Sequence, residues 1–329
     1  MSKFVIQHLM SGGIITNYYC TSACRHCLYR SSPHRAKEYL DAETAKKLLD
    51  CVRRLGCSAV HIGGGEPLLK PDKLGELLAL ARQFGLDVDY VETNSSWFRD
   101  ADSADRMLKQ LKNQGLRTLL VSISPFHNEF IPFAKVKSVV EACRRVGIGI
   151  FPWTSDFIAD LSEFDLASTH SLEEYSQRFG RGYLQRLLGR YWIHMGGRAL
   201  DLFRPVLESK SCRQILEGNP GGCAHELSDT SHFHFDLFGN YIPGLCSGLA
   251  IQFTDLGQPL AVDQYPFLSI LYHSGITGLF DHARDSFGFR PLQSAYVNKC
   301  DLCTQIRGFL VTECDVRSAD LNPVAFYTG

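Results

Sequence analysis

A chain of 329 residues with 45% hydrophobic and 21% charged residues is long and apolar enough to bury a full core, and its length suggests about two domains. Thirty-four Lys and Arg nearly cancel thirty-five Asp and Glu, which excludes a broad polycationic surface for nucleic acid and an acidic tail for a basic partner. No eighteen apolar residues run together, and the opening MSKFVIQHLMSGG has no long apolar stretch before a small-residue cleavage site, so the sequence predicts a cytoplasmic protein that does not enter the membrane.

In chain order, strands are expected at residues 14–16, 59–62, 87–93, 117–124 and 147–153, where β-branched and apolar residues run together. Between them, residues 42–56, 73–85, 104–115 and 134–147 carry apolar positions at helical spacing, and all four end in Gly, which favours a helix C-terminus. Residues 171–191 read as one further helix and residues 191–200, YWIHMGGRAL, as a sixth short strand. Repeated strand–helix units favour a parallel sheet with its functional loops at the carboxyl ends of the strands. Beyond residue 204 the character changes to turn-rich segments, including an apparent hairpin at HFHFDLFGNYIPGLC, so a boundary is expected between residues 1–204 and 205–329.

Twelve cysteines are many for a reducing compartment, where structural disulfides are rare and metal binding is the commoner use. Cys51, Cys57 and Cys143 stand alone in apolar patterns and read as buried thiols. Cys20, Cys24 and Cys27 sit in one loop, CTSACRHC, directly after the first strand. Three thiolates in one loop leave a fourth position open on whatever they bind; zinc sites usually present four ligands, and a [4Fe–4S] cluster normally takes four cysteines.

The CxxxCxxC spacing of Cys20, Cys24 and Cys27 resembles that of the radical S-adenosylmethionine (SAM) superfamily. The resemblance implies a partial (β/α)6 TIM-like barrel over 1–204, a [4Fe–4S] cluster on the three cysteines, and SAM chelating the open iron. Reductive cleavage of SAM would give a 5′-deoxyadenosyl radical that removes a substrate hydrogen atom. Gly63, Gly64, Gly65 and Glu66 resemble the family's GGEP element, where glycine permits close backbone approach. Glu92, Thr93, Asn94 and Ser95 close the third strand where family members meet the ribose or carboxylate; Ser122 and Ser124 close the fourth; Arg198 in GGRA resembles a sixth-strand element that meets the SAM carboxylate. His26 or Tyr29 would lie near adenine.

The carboxyl third, 205–329, resembles the small cysteine-rich SPASM or twitch extensions that bind auxiliary clusters. Cys223, Cys246, Cys300 and Cys303 would complete one auxiliary [4Fe–4S] cluster; Cys212 and Cys314 would substitute for one of these, serve a second cluster, donate hydrogen, or be buried. His127, in SISPFHNEF beyond the fourth strand, is a candidate for orienting substrate or moving a proton. His232 and His234 share one strand face and form an HxH pair that lacks a third ligand in the sequence, which favours a plain polar face over a metal site.

The same resemblance points to peptide-modifying members, including epimerases, and to an electron donor such as flavodoxin or ferredoxin. Ser247 occupies the place after Cys246 where such an epimerase can carry its donor thiol, which leaves epimerisation, oxidation and cross-linking open. A radical SAM dehydrogenase acting on a small molecule, a two-cluster electron-transfer protein and a zinc-stabilised binding module are the alternatives.

Overall fold

The structure is a computed structural model that describes residues 3–153 and 155–328. It opens with five strands alternating with four long helices: β1 Gly12–Ile15, α1 Ala42–Arg54, β2 Ala59–Gly63, α2 Pro71–Gln83, β3 Asp87–Thr93, α3 Ala101–Gln114, β4 Thr118–Ser122, α4 Phe133–Val146 and β5 Gly149–Trp153. Each element follows the pattern that predicts it. α1 buries Ala45, Leu48, Leu49 and Val52 on one face, and its N-cap Asp41 accepts the Glu43 and Thr44 amides at 2.9 Å, a cap that contributes about 1 kcal/mol. α4 ends at Gly147 in the left-handed region. Cys51, Cys57 and Cys143 are buried in the core.

β1 to β5 pair in parallel in the order of the chain, which is the mixed α/β arrangement of a partial barrel. The sixth parallel strand is not where the sequence suggested. Residues 191–198 form no strand, because Gly196 and Gly197 are held against the cysteine loop: a Cβ on Gly197 would stand 2.3 Å from the Leu28 carbonyl oxygen and 2.5 Å from that of Cys27. The sixth strand is instead β6, Phe233–Phe235, which pairs in parallel with the outer edge of β1. β7 Asn240–Ile242 and β8 Ile251–Gln252 extend the sheet in antiparallel fashion.

The single helix expected at 171–191 is two, α5 Leu172–Phe179 and α6 Tyr183–Arg190, interrupted at Gly180, whose φ of 96° no helix accommodates. The last long helices, α7 Pro266–Phe287 and α8 Lys299–Thr312, pack on each other. Among the described residues, no helix is long and apolar enough to cross a membrane.

Candidate functional site

The loop after β1 is closed at its base by the Tyr19–Ser32 bridge and by the Cys20 amide donating to the Ser32 carbonyl at 3.2 Å. Within it, Cys20, Cys24 and Cys27 all face one cavity of about 240 Å³. Two of the sulfurs receive hydrogen bonds: Asn94 Nδ2 lies 3.3 Å and the Ser22 amide 3.4 Å from Cys20 Sγ, and the Ser31 amide lies 3.4 Å from Cys27 Sγ. Such donors stabilise thiolates. Burial works the other way and outweighs them, leaving Cys20 raised to about 12 and Cys24 well above the ordinary thiol value, a cost that a cationic ligand would offset.

The turn after β2 lies directly on this loop. Gly65 donates its amide to the Asn17 carbonyl at 2.7 Å, and a Cβ there would stand 2.0 Å from the Tyr19 carbonyl oxygen. Gly64 takes a φ of 145° against Asn17. Glycine is therefore required at both positions if the turn and the cysteine loop are to touch. Glu66 is fully buried behind them. It accepts the Asn94 amide at 2.7 Å, the Leu68 amide at 3.1 Å and the Thr93 hydroxyl at 3.0 Å, tying the turn to the end of β3, while burial raises its carboxyl to about 7.

Gly63, Gly64, Gly65, Glu92, Asn94, Ser122 and His127 line the cavity with the cysteines. Burial raises the Glu92 carboxyl to about 7 and lowers His127 to about 4. Ser124 stands behind His127, its hydroxyl 2.7 Å from Nδ1, and Ser95 is fully buried with positive φ. Arg198 turns to the loop itself: Nε donates to the Cys24 carbonyl at 2.9 Å and one terminal nitrogen to the Ser31 carbonyl at 2.6 Å. His26 and Tyr29 also line the cavity, His26 stacked on Phe126 at 4.4 Å.

Other lining residues had no signature in the sequence. Tyr191, Trp192 and His194 come from the irregular segment misread as a strand. His61 of β2 stands beside His232 and His234, with the ring nitrogens of the three within 4.8 Å of one another.

A second cavity of about 50 Å³ collects Cys223, Cys246, Cys300 and Cys303. Cys300 and Cys303 lie one turn apart at the start of α8, whose N-cap Asn298 accepts the Cys300 and Asp301 amides at 3.0 Å. Burial raises all of Cys223, Cys246 and Cys300, the first to about 11 and the last to about 12. Lys299 and the buried Arg307 share the wall. Burial opposes the Arg307 charge, but Tyr327, Cys303 and Cys246 outweigh it and hold the cation in place. A buried cation facing four thiols fits an anionic, thiolate-ligated group. Cys212, at the head of the helix Cys212–Glu217, and Cys314, past the end of α8, line neither cavity.

Residues 14–162 match the Radical SAM superfamily. That stretch, a little under half of the chain, is similar to a family whose members imply a [4Fe–4S] cluster and SAM. Over 104 residues it is 30% identical to the PqqA peptide cyclases of Xanthomonas oryzae pv. oryzae (strain MAFF 311018) and Xanthomonas campestris pv. campestris (strain B100), covering 32% of this chain and 26% of each relative. The chain thus matches about a quarter of the length of these relatives. Among solved structures, native anSMEcpe with bound AdoMet gives a TM-score of 0.45 at 14% identity over 92% of this chain and 98% of that one. Streptococcus suis SuiB bound to S-adenosylmethionine gives 0.36 at 14% identity over 83% and 68%.

Proposed function

We propose that Cys20, Cys24 and Cys27 hold a [4Fe–4S] cluster with SAM at the open iron, and that the enzyme modifies a ribosomally made peptide by oxidation, cross-linking or epimerisation. The observation that carries this reading is the convergence of the three cysteines with Gly63, Gly64, Gly65, Glu92, Asn94 and Ser122 on one cavity. When bound, cluster and SAM together supply a 5′-deoxyadenosyl radical that removes a hydrogen atom from substrate.

The chain's own part is positional. Gly63 to Gly65 let backbone approach the SAM amino acid moiety; Glu66 fixes that turn without facing the cavity; Glu92, Asn94 and Ser122 supply the polar wall for ribose and carboxylate. Arg198 braces the cluster loop from behind while the rest of its guanidinium remains a candidate for the SAM carboxylate. His127, oriented by Ser124, is the group placed to bind substrate or pass a proton. A peptide substrate is supported by the similarity to a peptide cyclase over 104 residues.

Cys223, Cys246, Cys300 and Cys303 hold an auxiliary [4Fe–4S] cluster in the second domain, residues 205–329. His194 and Leu245 belong to the walls of both cavities, so an electron released at the first has a short path to the second. That layout favours oxidation or cross-linking, with the auxiliary cluster accepting the substrate radical's electron, over return of hydrogen from Cys212 or Cys314. The test is anaerobic reconstitution followed by electron paramagnetic resonance of the reduced protein. Two cluster signals, only one of which shifts when SAM is added, support the reading; a single signal, or two that ignore SAM, overturns it.

A further inference from the structure

His61, Gly13 and His234 occupy one row across three parallel strands: Gly13 of β1 is in register with His61 of β2 on one side and with His234 of β6 on the other. Neighbouring strands lie about 4.8 Å apart, so two histidines separated by a whole strand meet only by leaning across it. They do meet. Nε2 of His61 stands 3.0 Å from Nε2 of His234, above a residue without a side chain. A Cβ on Gly13 would lie 2.3 Å from His61 Nε2, so glycine at this position is what opens the space between the rings.

His232, two residues before His234, projects from the same face while Phe233 and Phe235 pack on the other with Tyr241. The Tyr29 hydroxyl lies 2.8 Å from His234 Nδ1 and so fixes that ring with Nε2 turned toward His61. His61 and His234 are buried and His232 is half-buried; His232 and His234 line the cavity that contains Cys20, Cys24 and Cys27.

We propose that His61, His232 and His234 form a site for a divalent transition metal of the zinc type in the wall of that cavity, with a further coordination position open to it. Three imidazoles with no carboxylate or thiolate among them suit zinc and its borderline neighbours, and three protein ligands leave a place for water or an oxygen donor of substrate. Metal–nitrogen bonds of about 2.0–2.1 Å put two donors of one ion about 3–4 Å apart, the range the buried pair already occupies. The half-buried His232 closes the remaining gap by a small ring rotation. This site draws on none of the cysteines, so it stands independently of the clusters.

The experiment is titration of the cluster-loaded protein with Zn²⁺ alone under anaerobic conditions, read by bound zinc per chain and by zinc K-edge absorption. Wild type is expected to bind one zinc through nitrogen ligands without sulfur. His61→Asn and the half-buried His232→Asn are each expected to weaken binding by about a hundredfold or more while iron content stays at the wild-type value. Zinc held by sulfur, zinc affinity unchanged in His232→Asn, or no zinc retained by wild type with its iron intact would each overturn the site, the last leaving a proton shared between His61 and His234.

Discussion

Arg198→Met separates two roles for the same guanidinium. In the structure its Nε and one terminal nitrogen hold the Cys24 and Ser31 carbonyls, its backbone amide holds the Cys27 carbonyl, and the adjoining Gly197 fits against the same turn. Methionine keeps the length of the side chain and removes both side-chain hydrogen bonds. Hydrogen bonds from a charged donor contribute about 1.5–3 kcal/mol each, and because Arg198 is half-buried we take the lower end, about 3 kcal/mol for the pair. At about 1.4 kcal/mol per tenfold, the open form of the cysteine loop becomes roughly a hundredfold more populated. The assay is the rate at which a chelator removes iron from the anaerobically loaded protein. Iron loaded at Cys20, Cys24 and Cys27 should leave about a hundredfold sooner in the variant, and iron loaded at Cys246 at an unchanged rate. Wild-type iron retention combined with weakened SAM binding would refute the bracing argument and return Arg198 to the SAM carboxylate.

Gly65→Ala forces a Cβ to within 2.0 Å of the Tyr19 carbonyl oxygen, so loaded iron and SAM binding at the first site should both fall sharply, measured by iron count and equilibrium binding; normal values would show the turn free to move. Cys246→Ala should lose about four irons per chain, the auxiliary complement, and keep the SAM-responsive signal. Arg307→Met removes the buried cation beside the four thiols and should shift the auxiliary reduction potential to more negative values, as spectroelectrochemical titration would record. Glu92 carries a pH signature. Burial raises its carboxyl to about 7 from an ordinary 4.5, so the folded state favours the proton and is destabilised as the group ionises. Glu92→Gln should therefore stabilise the protein at about pH 8, by on the order of 3 kcal/mol, with a gain that shrinks as pH falls through 7 and vanishes below 4.5; a difference independent of pH would contradict it.

The strands and helices of the first half were legible because each carries its own period and stops at glycine, as in α3 before Gly115 and α4 before Gly147. The sixth strand was not. YWIHMGG has a strand's composition, but Gly196 and Gly197 are used to approach the cysteine loop, a tertiary demand no local pattern expresses. The cysteine spacing and the glycine turn were readable because the residues of each are neighbours in sequence. His61 could not be joined to His232 and His234 in advance, since their meeting depends on the register of β2, β1 and β6 across the absent side chain of Gly13. The same holds for Trp192 and His194, which enter the cavity from an irregular segment.

The central claim is that Cys20, Cys24 and Cys27 make this chain a generator of the adenosyl radical. Its most direct test is anaerobic incubation of iron- and sulfide-loaded protein with dithionite and SAM, with 5′-deoxyadenosine counted in wild type and in a variant carrying Cys20→Ala, Cys24→Ala and Cys27→Ala together. The account predicts 5′-deoxyadenosine from wild type, none from the variant, and about four irons still bound to the variant at the second site. Equal 5′-deoxyadenosine from both proteins would contradict it.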